Sequence, residues 1–163
     1  MTVSELIRRL ESADPEVVDA AIQELGRQRA RAAAPALLDL LRTSDDATIR
    51  NAAALALSDM AVPDLLGVVA GLLDDPRTAH SRGTLLYALG TDDYDCRPLL
   101  PRLVELAITG GWEVRVSAAG LISQIEGEMD ADVFDRAHER LRTAHAADPA
   151  NEVLGPLLEL FEE

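Results

Sequence analysis

The chain has 163 residues, 48% of them hydrophobic, with 15 basic residues against 29 acidic ones and a net charge of −14. Every basic residue is arginine, which excludes lysine Schiff-base and lysine general-base chemistry, and the negative charge repels phosphate backbones, which argues against direct nucleic-acid binding. The uncharged run at residues 65–73 is too short to span a bilayer, and the lone Cys96 can form no internal disulfide, so a cytoplasmic protein is expected.

Residues 2–12 predict an amphipathic opening helix with Val3, Leu6, Ile7 and Leu10 on one side; a secretory signal would need a longer uncharged core. Beyond it the chain repeats. Val17-Val18-Asp19-Ala20-Ala21 to Leu25-Gly26, Ile49-Arg50-Asn51-Ala52-Ala53 to Leu57-Ser58, Ser81-Arg82-Gly83-Thr84-Leu85 to Leu89-Gly90 and Val114-Arg115-Val116-Ser117-Ala118 to Ile122-Ser123 start 32, 32 and 33 residues apart. A period of this size predicts stacked helical units, each burying its apolar face against its neighbours. Small residues at Ala20-Ala21, Ala52-Ala53 and Ser117-Ala118 allow close helix approach, and Leu25, Leu57, Leu89 and Ile122 fill the space beyond. The next column, Gly26, Ser58, Gly90 and Ser123, is expected to end each first helix, glycine through a left-handed backbone.

A second helix follows in each unit, opened by Pro35, Pro63 and Pro98 in the first three. Apolar residues recur there at helical spacing, as in Leu37-Leu38 with Leu40-Leu41, Leu65-Leu66 with Val68-Val69, and Leu99-Leu100 with Leu103-Val104. The fourth unit uses Val133-Phe134, Ala137 and Leu141 and lacks the proline, and a last helix is predicted near residues 150–162. The turns between units, Asp14-Pro15, Asp45-Asp46, Asp74-Asp75-Pro76 and Asp148-Pro149, should each cap the helix after them.

Short helix pairs, an inter-repeat Asp or Asp-Pro, and then Val/Ile-Arg-x-x-Ala-Ala-x-x-Leu-Gly resemble the HEAT-like repeats of phycobilisome-lyase-related proteins, over nearly the whole chain. The resemblance implies an all-α fold, an α-α superhelix or solenoid of about four helix pairs with terminal capping helices, as a single domain over residues 1–163. It also implies that a turn aspartate and a helix arginine link successive repeats. The matching residues are Asp45 or Asp46 with Arg50, and Asp75 with Arg82; Arg115 has Gly110-Gly111 where its aspartate would stand, and Val18 replaces the arginine of the first repeat.

Charge is uneven along the chain, with net values of −2, −4 and −8 for residues 1–50, 51–100 and 101–163. The turns between first and second helices are sharper still: Arg27, Arg29 and Arg31 in the first, Asp92, Asp93 and Asp95 in the third, Glu126, Glu128, Asp130 and Asp132 in the fourth. Such turns attract a basic surface, although charge runs also serve simply as solvated faces. Two of the scarce aromatics add to this. Tyr94 sits among the third-turn aspartates, either as a contact or packed on its own repeat, and Trp112 is either an interface anchor or a hydrophobic staple folded onto the helix near Val116.

Residues 126–132 alternate acids as calcium loops do, but lack the glycine at loop position six and the distal glutamate, and His80, His138, His145 and Cys96 lack zinc-ligand spacing, so no metal or other cofactor is expected. Glycine-rich phosphate loops and a nucleophile elbow are absent. Bilin lyases and the HEAT-like alkylpurine glycosylases are the enzymatic relatives that the resemblance offers; the larger lyases carry more repeats, and the glycosylases need a basic groove with aromatics. The expectation is therefore a non-catalytic, monomeric module that binds a basic protein. Stand-alone HEAT-like proteins resemble some bacterial immunity proteins, so an inhibitor of a nuclease toxin is its most concrete form. The competing expectation is a scaffold or self-assembling subunit joined through the uncharged helix at residues 65–73.

Overall fold

A computed structural model describes residues 1–163 as helices joined by turns, in two compact units, Met1–Asp93 and Tyr94–Glu163. The first contains α1 (Val3–Arg9), α2 (Pro15–Arg27), α3 (Ala34–Thr43), α4 (Ala47–Asp59), α5 (Leu65–Leu72) and α6 (Arg82–Ala88). The second contains α7 (Leu100–Thr109), α8 (Trp112–Gln124), α9 (Ala131–Ala147) and α10 (Leu154–Phe161). Each is built as a HEAT-like α-α stack, as the repeat period predicts.

Helix starts follow the side chains that can satisfy their free N–H groups. Thr2 and Glu5 form a reciprocal capping box on α1, Asp14 accepts from the Glu16 amide ahead of α2, and Asp46 accepts from the Thr48 and Ile49 amides of α4. In the first unit α2, α4 and α6 stack as one layer, and α3 packs on both α4 and α5 in the other. The close helix pairs thus cross the aspartate turns, α1 with α2 and α3 with α4. Leu25, Leu37, Leu41, Leu57, Leu65, Leu73, Leu85 and Leu89 fill the space between the layers. The uncharged α5 turns Leu65, Val69 and Leu72 into this core, and an added Cβ on Gly67 or Gly71 would meet nothing. No large apolar side chain is exposed on α5.

The small-residue column has a different job from the expected one. Gly26 and Ser58 lie inside α2 and α4. A Cβ on Gly26 would stand 3.2 Å from the Ala56 Cβ and 3.3 Å from its Cα, and the Ser58 hydroxyl donates to the Ala88 carbonyl at 2.6 Å. Position ten of one first helix therefore touches position eight of the next. These two helices end one residue later, at Arg27 and Asp59, in Schellman turns: the amides of Arg29 and Ala30 donate to the Gly26 and Leu25 carbonyls, and those of Ala61 and Val62 to the Ser58 and Leu57 carbonyls. The left-handed residues are Arg29 (φ 48°) and Ala61 (φ 53°), not glycines. Gly90 does lie just past α6, whereas Ser123 is inside α8, its hydroxyl donating to the Gly120 carbonyl.

Pro35 sits in the first turn of α3, but Pro63 precedes α5, and Pro98 occupies a 3₁₀ turn (Arg97–Leu99) before Pro101 opens α7. Asp148 ends α9 and caps nothing after it. Its expected place is taken by Asn151, buried, which accepts from the Val153 amide and donates to the Ala107 carbonyl at 3.1 Å.

The repeat-linking arginines bind backbone where carboxylates were expected. Arg50, only 1% exposed, donates to the Ser44 carbonyl at 2.9 Å, the Arg77 carbonyl at 3.1 Å and the Ser81 hydroxyl at 3.2 Å. Arg82 reaches the Asp75 carbonyl and the Thr78 hydroxyl. The Asp75 carboxylate belongs to Arg77, which also donates to the Arg42 and Thr43 carbonyls and so closes the C-terminal end of α3.

In the second unit α7 packs on α8 and α9, and α10 on α8 and α9. The Phe134 and Phe161 rings stack with centroids 4.8 Å apart, and His138 lies against Phe161 with its Nε2 3.2 Å from Glu162.

Candidate protein-binding surface

The fourth turn lies in the second unit and joins α8 to α9. Gly127 makes it possible: its φ is +92°, and a Cβ there would stand 3.0 Å from the Arg97 guanidinium. Arg97 fills that space. Its Nη1 donates to the Glu128 carbonyl at 2.9 Å, while Nε and Nη2 grip the Asp95 carboxylate at 2.9 and 2.8 Å. Asp95 and the 126–132 turn are thereby held together by a cation. The Arg97 hydrogen bonds hold the Asp95 carboxyl below the usual carboxylate range, and the same pair raises Arg97.

The acids of the turn divide into two kinds. Asp130 accepts from the Val133 amide at 3.1 Å and caps α9. Glu126, Glu128 and Asp132 are exposed, and none of their carboxylates forms an ion pair. Beside them a cleft of about 520 Å³ runs between α7 and α9, floored by Val104, Val133 and Ala137, with the Arg140–Glu105 pair (2.7 Å) in its lining.

Other expected contacts fall elsewhere. Asp92 and Asp93 are exposed at the end of the first unit, where Asp93 accepts from the Thr91 hydroxyl. Tyr94 is only 9% exposed, so it offers no anchor at the surface. Trp112, the first residue of α8, is 65% exposed, and Val116 one turn further on is exposed as well. Trp112 stands at the opposite end of α8 from the acidic turn, about 18 Å away by helical rise. Cys96 is buried, and burial first, then the charge of Asp95, pushes its thiol up, away from the reactive thiolate. No group of three or more His, Cys, Asp or Glu side chains is arranged to hold a metal ion.

Two prominent residues of these surfaces are not singled out by the sequence pattern. Arg97 is visible in hindsight through its spacing, since Asp95-Cys96-Arg97 repeats the Asp75-Pro76-Arg77 pattern and forms the same chelate. Tyr87, 73% exposed on α6, lies in the register at the same position as Leu55, an outward-facing column that core-seeking patterns pass over.

Residues 2–90 match the family model of HEAT repeats. The chain is a HEAT-repeat protein. No curated protein matches it. HEAT repeats are generally protein-interaction modules, and the matched segment coincides with the first compact unit. The HEAT pattern weakens in the second unit, where Gly111 precedes α8 with no side-chain cap and α9 extends to 17 residues.

Proposed function

We propose that this HEAT-repeat chain is a non-catalytic, monomeric module that covers a basic protein with its acidic turns. An immunity-type inhibitor of a nucleic-acid-cleaving toxin in a bacterial cytoplasm is the most concrete form. The observation that carries the reading is the division of labour in the fourth turn. Asp95 and Asp130 are engaged in holding the turn, which leaves Glu126, Glu128 and Asp132 exposed, without ion pairs and on a fixed backbone. Fixed like charges speed the encounter with an oppositely charged surface more than they raise affinity. The adjoining α7–α9 cleft has an apolar floor of Val104, Val133 and Ala137 for an uncharged side chain of the same partner.

The test is capture of partners by tagged protein at low and moderate salt, read by mass spectrometry, beside a Glu126→Gln, Glu128→Gln, Asp132→Asn variant that spares the two structural acids. A single basic protein, lost with salt and captured with an on-rate about tenfold slower by the variant, is the expected result. Capture that neither salt nor the variant changes would overturn it. Light scattering addresses the scaffold alternative: self-assembly predicts a mass that grows with concentration.

A further inference from the structure

The second exposed surface lies in the first unit, on the outward side of α4 and α6. The hydrogen bond from Ser58 to the Ala88 carbonyl fixes the register of these two packed helices. At 100° per residue, Leu55 and Asp59 on α4 and Tyr87 on α6 then all point away from the core, while Leu57, Leu85 and Leu89 point into it. Tyr87 is 73% and Leu55 37% exposed, the two large apolar side chains that this unit exposes between its first helix and its end. Asp59 flanks them on α4, and Asp92 and Asp93 follow α6, all exposed and none in an ion pair. On α2 the same columns carry Gln23 and Arg27, the latter paired with Glu24, so the acidic rim stops at α4.

We infer that this face receives an arginine-bearing segment of a basic protein, with Tyr87 as the anchor and Asp59, Asp92 and Asp93 as its rim. The inference rests on the basic-partner reading above and gives that partner a second, chemically defined contact. A guanidinium plane stacks on an aromatic face while its edge donates to carboxylates. Tyr87 offers the face, Leu55 an apolar bed for the arginine stem, and the aspartates the acceptors. An exposed tyrosine with acids around it and no partner within its own chain has the composition of an interface anchor.

The probe is nona-arginine, titrated at low salt into the full ¹⁵N-labelled chain and followed by amide shifts. Shifts at Leu55, Asp59, Tyr87 and Asp92 are expected, with binding about fivefold weaker in Tyr87→Ala and retained in Tyr87→Phe. Because Tyr87 is exposed, both variants should melt as the parent does, which separates lost stacking from lost fold. Shifts confined to residues 126–132, with Tyr87→Ala silent, overturn this inference and leave the basic-partner reading standing. Absence of binding at either surface overturns both.

Discussion

Arg50 is the only fully buried charged side chain, and it holds three oxygens from two successive turns: the Ser44 carbonyl, the Arg77 carbonyl and the Ser81 hydroxyl. Removing it would leave these acceptors dry and open a cavity. Arg50→Ala should therefore cost about 3 kcal/mol or more in denaturant unfolding. Arg50→Lys should recover little of it, because one ammonium cannot reproduce the fork that spans both turns. The left-handed residues give the opposite sign. Ala61 at φ 53° has the strain that a Cβ imposes there, so Ala61→Gly should raise stability by about 0.5–1 kcal/mol, measured the same way. The sequence showed that small residues recur at Gly26 and Ser58, but not why. A small side chain serves a helix end and a close crossing equally well, and only the 3.2 Å approach to Ala56 separates the two.

At the scale of elements, two Asp-x-Arg turns carry the connections. Asp75-Pro76-Arg77 closes α3, and Asp95-Cys96-Arg97 supports the turn into α9. Hydrogen bonds from the paired arginines lower both carboxyls in the folded chain. Their contribution to stability is thus complete above the unfolded carboxyl pKa and fades as pH falls through the lower folded value, below about pH 4. Asp95→Asn should lower the melting temperature at neutral pH, and the difference from the parent should shrink as pH falls through the lowered carboxyl value, where the parent loses the same interaction. Gly127→Ala should disturb this turn from the other side, through the positive φ and the contact with Arg97, and lower the melting temperature. Repeat period and apolar spacing made ten helices legible, with boundaries off by a few residues where proline marks a 3₁₀ turn ahead of the helix. The chelating role of Arg97 was not legible, because the pairing of a side chain with a distant carbonyl leaves no periodic trace.

For the whole molecule the dominant quantity is the net charge of −14. Self-repulsion opposes compactness, so adding salt to about 150 mM should raise the melting temperature, while it weakens capture of a basic partner. Opposite signs in the two measurements distinguish a folding effect from a binding effect on one sample. The candidate surfaces were legible as charge but not as contact sites: of the aromatics picked out by neighbouring acids, Tyr94 is buried, and exposed Tyr87 stood outside the charged run. Burial depends on which face the chain turns inward, which local composition does not encode. The thiol of Cys96 has a practical consequence. It is the only thiol, and it is shielded in the native structure, so a thiol-reactive dye added in excess should label it only when that segment opens. The labelling rate then serves as an internal clock for local opening, with no engineered probe.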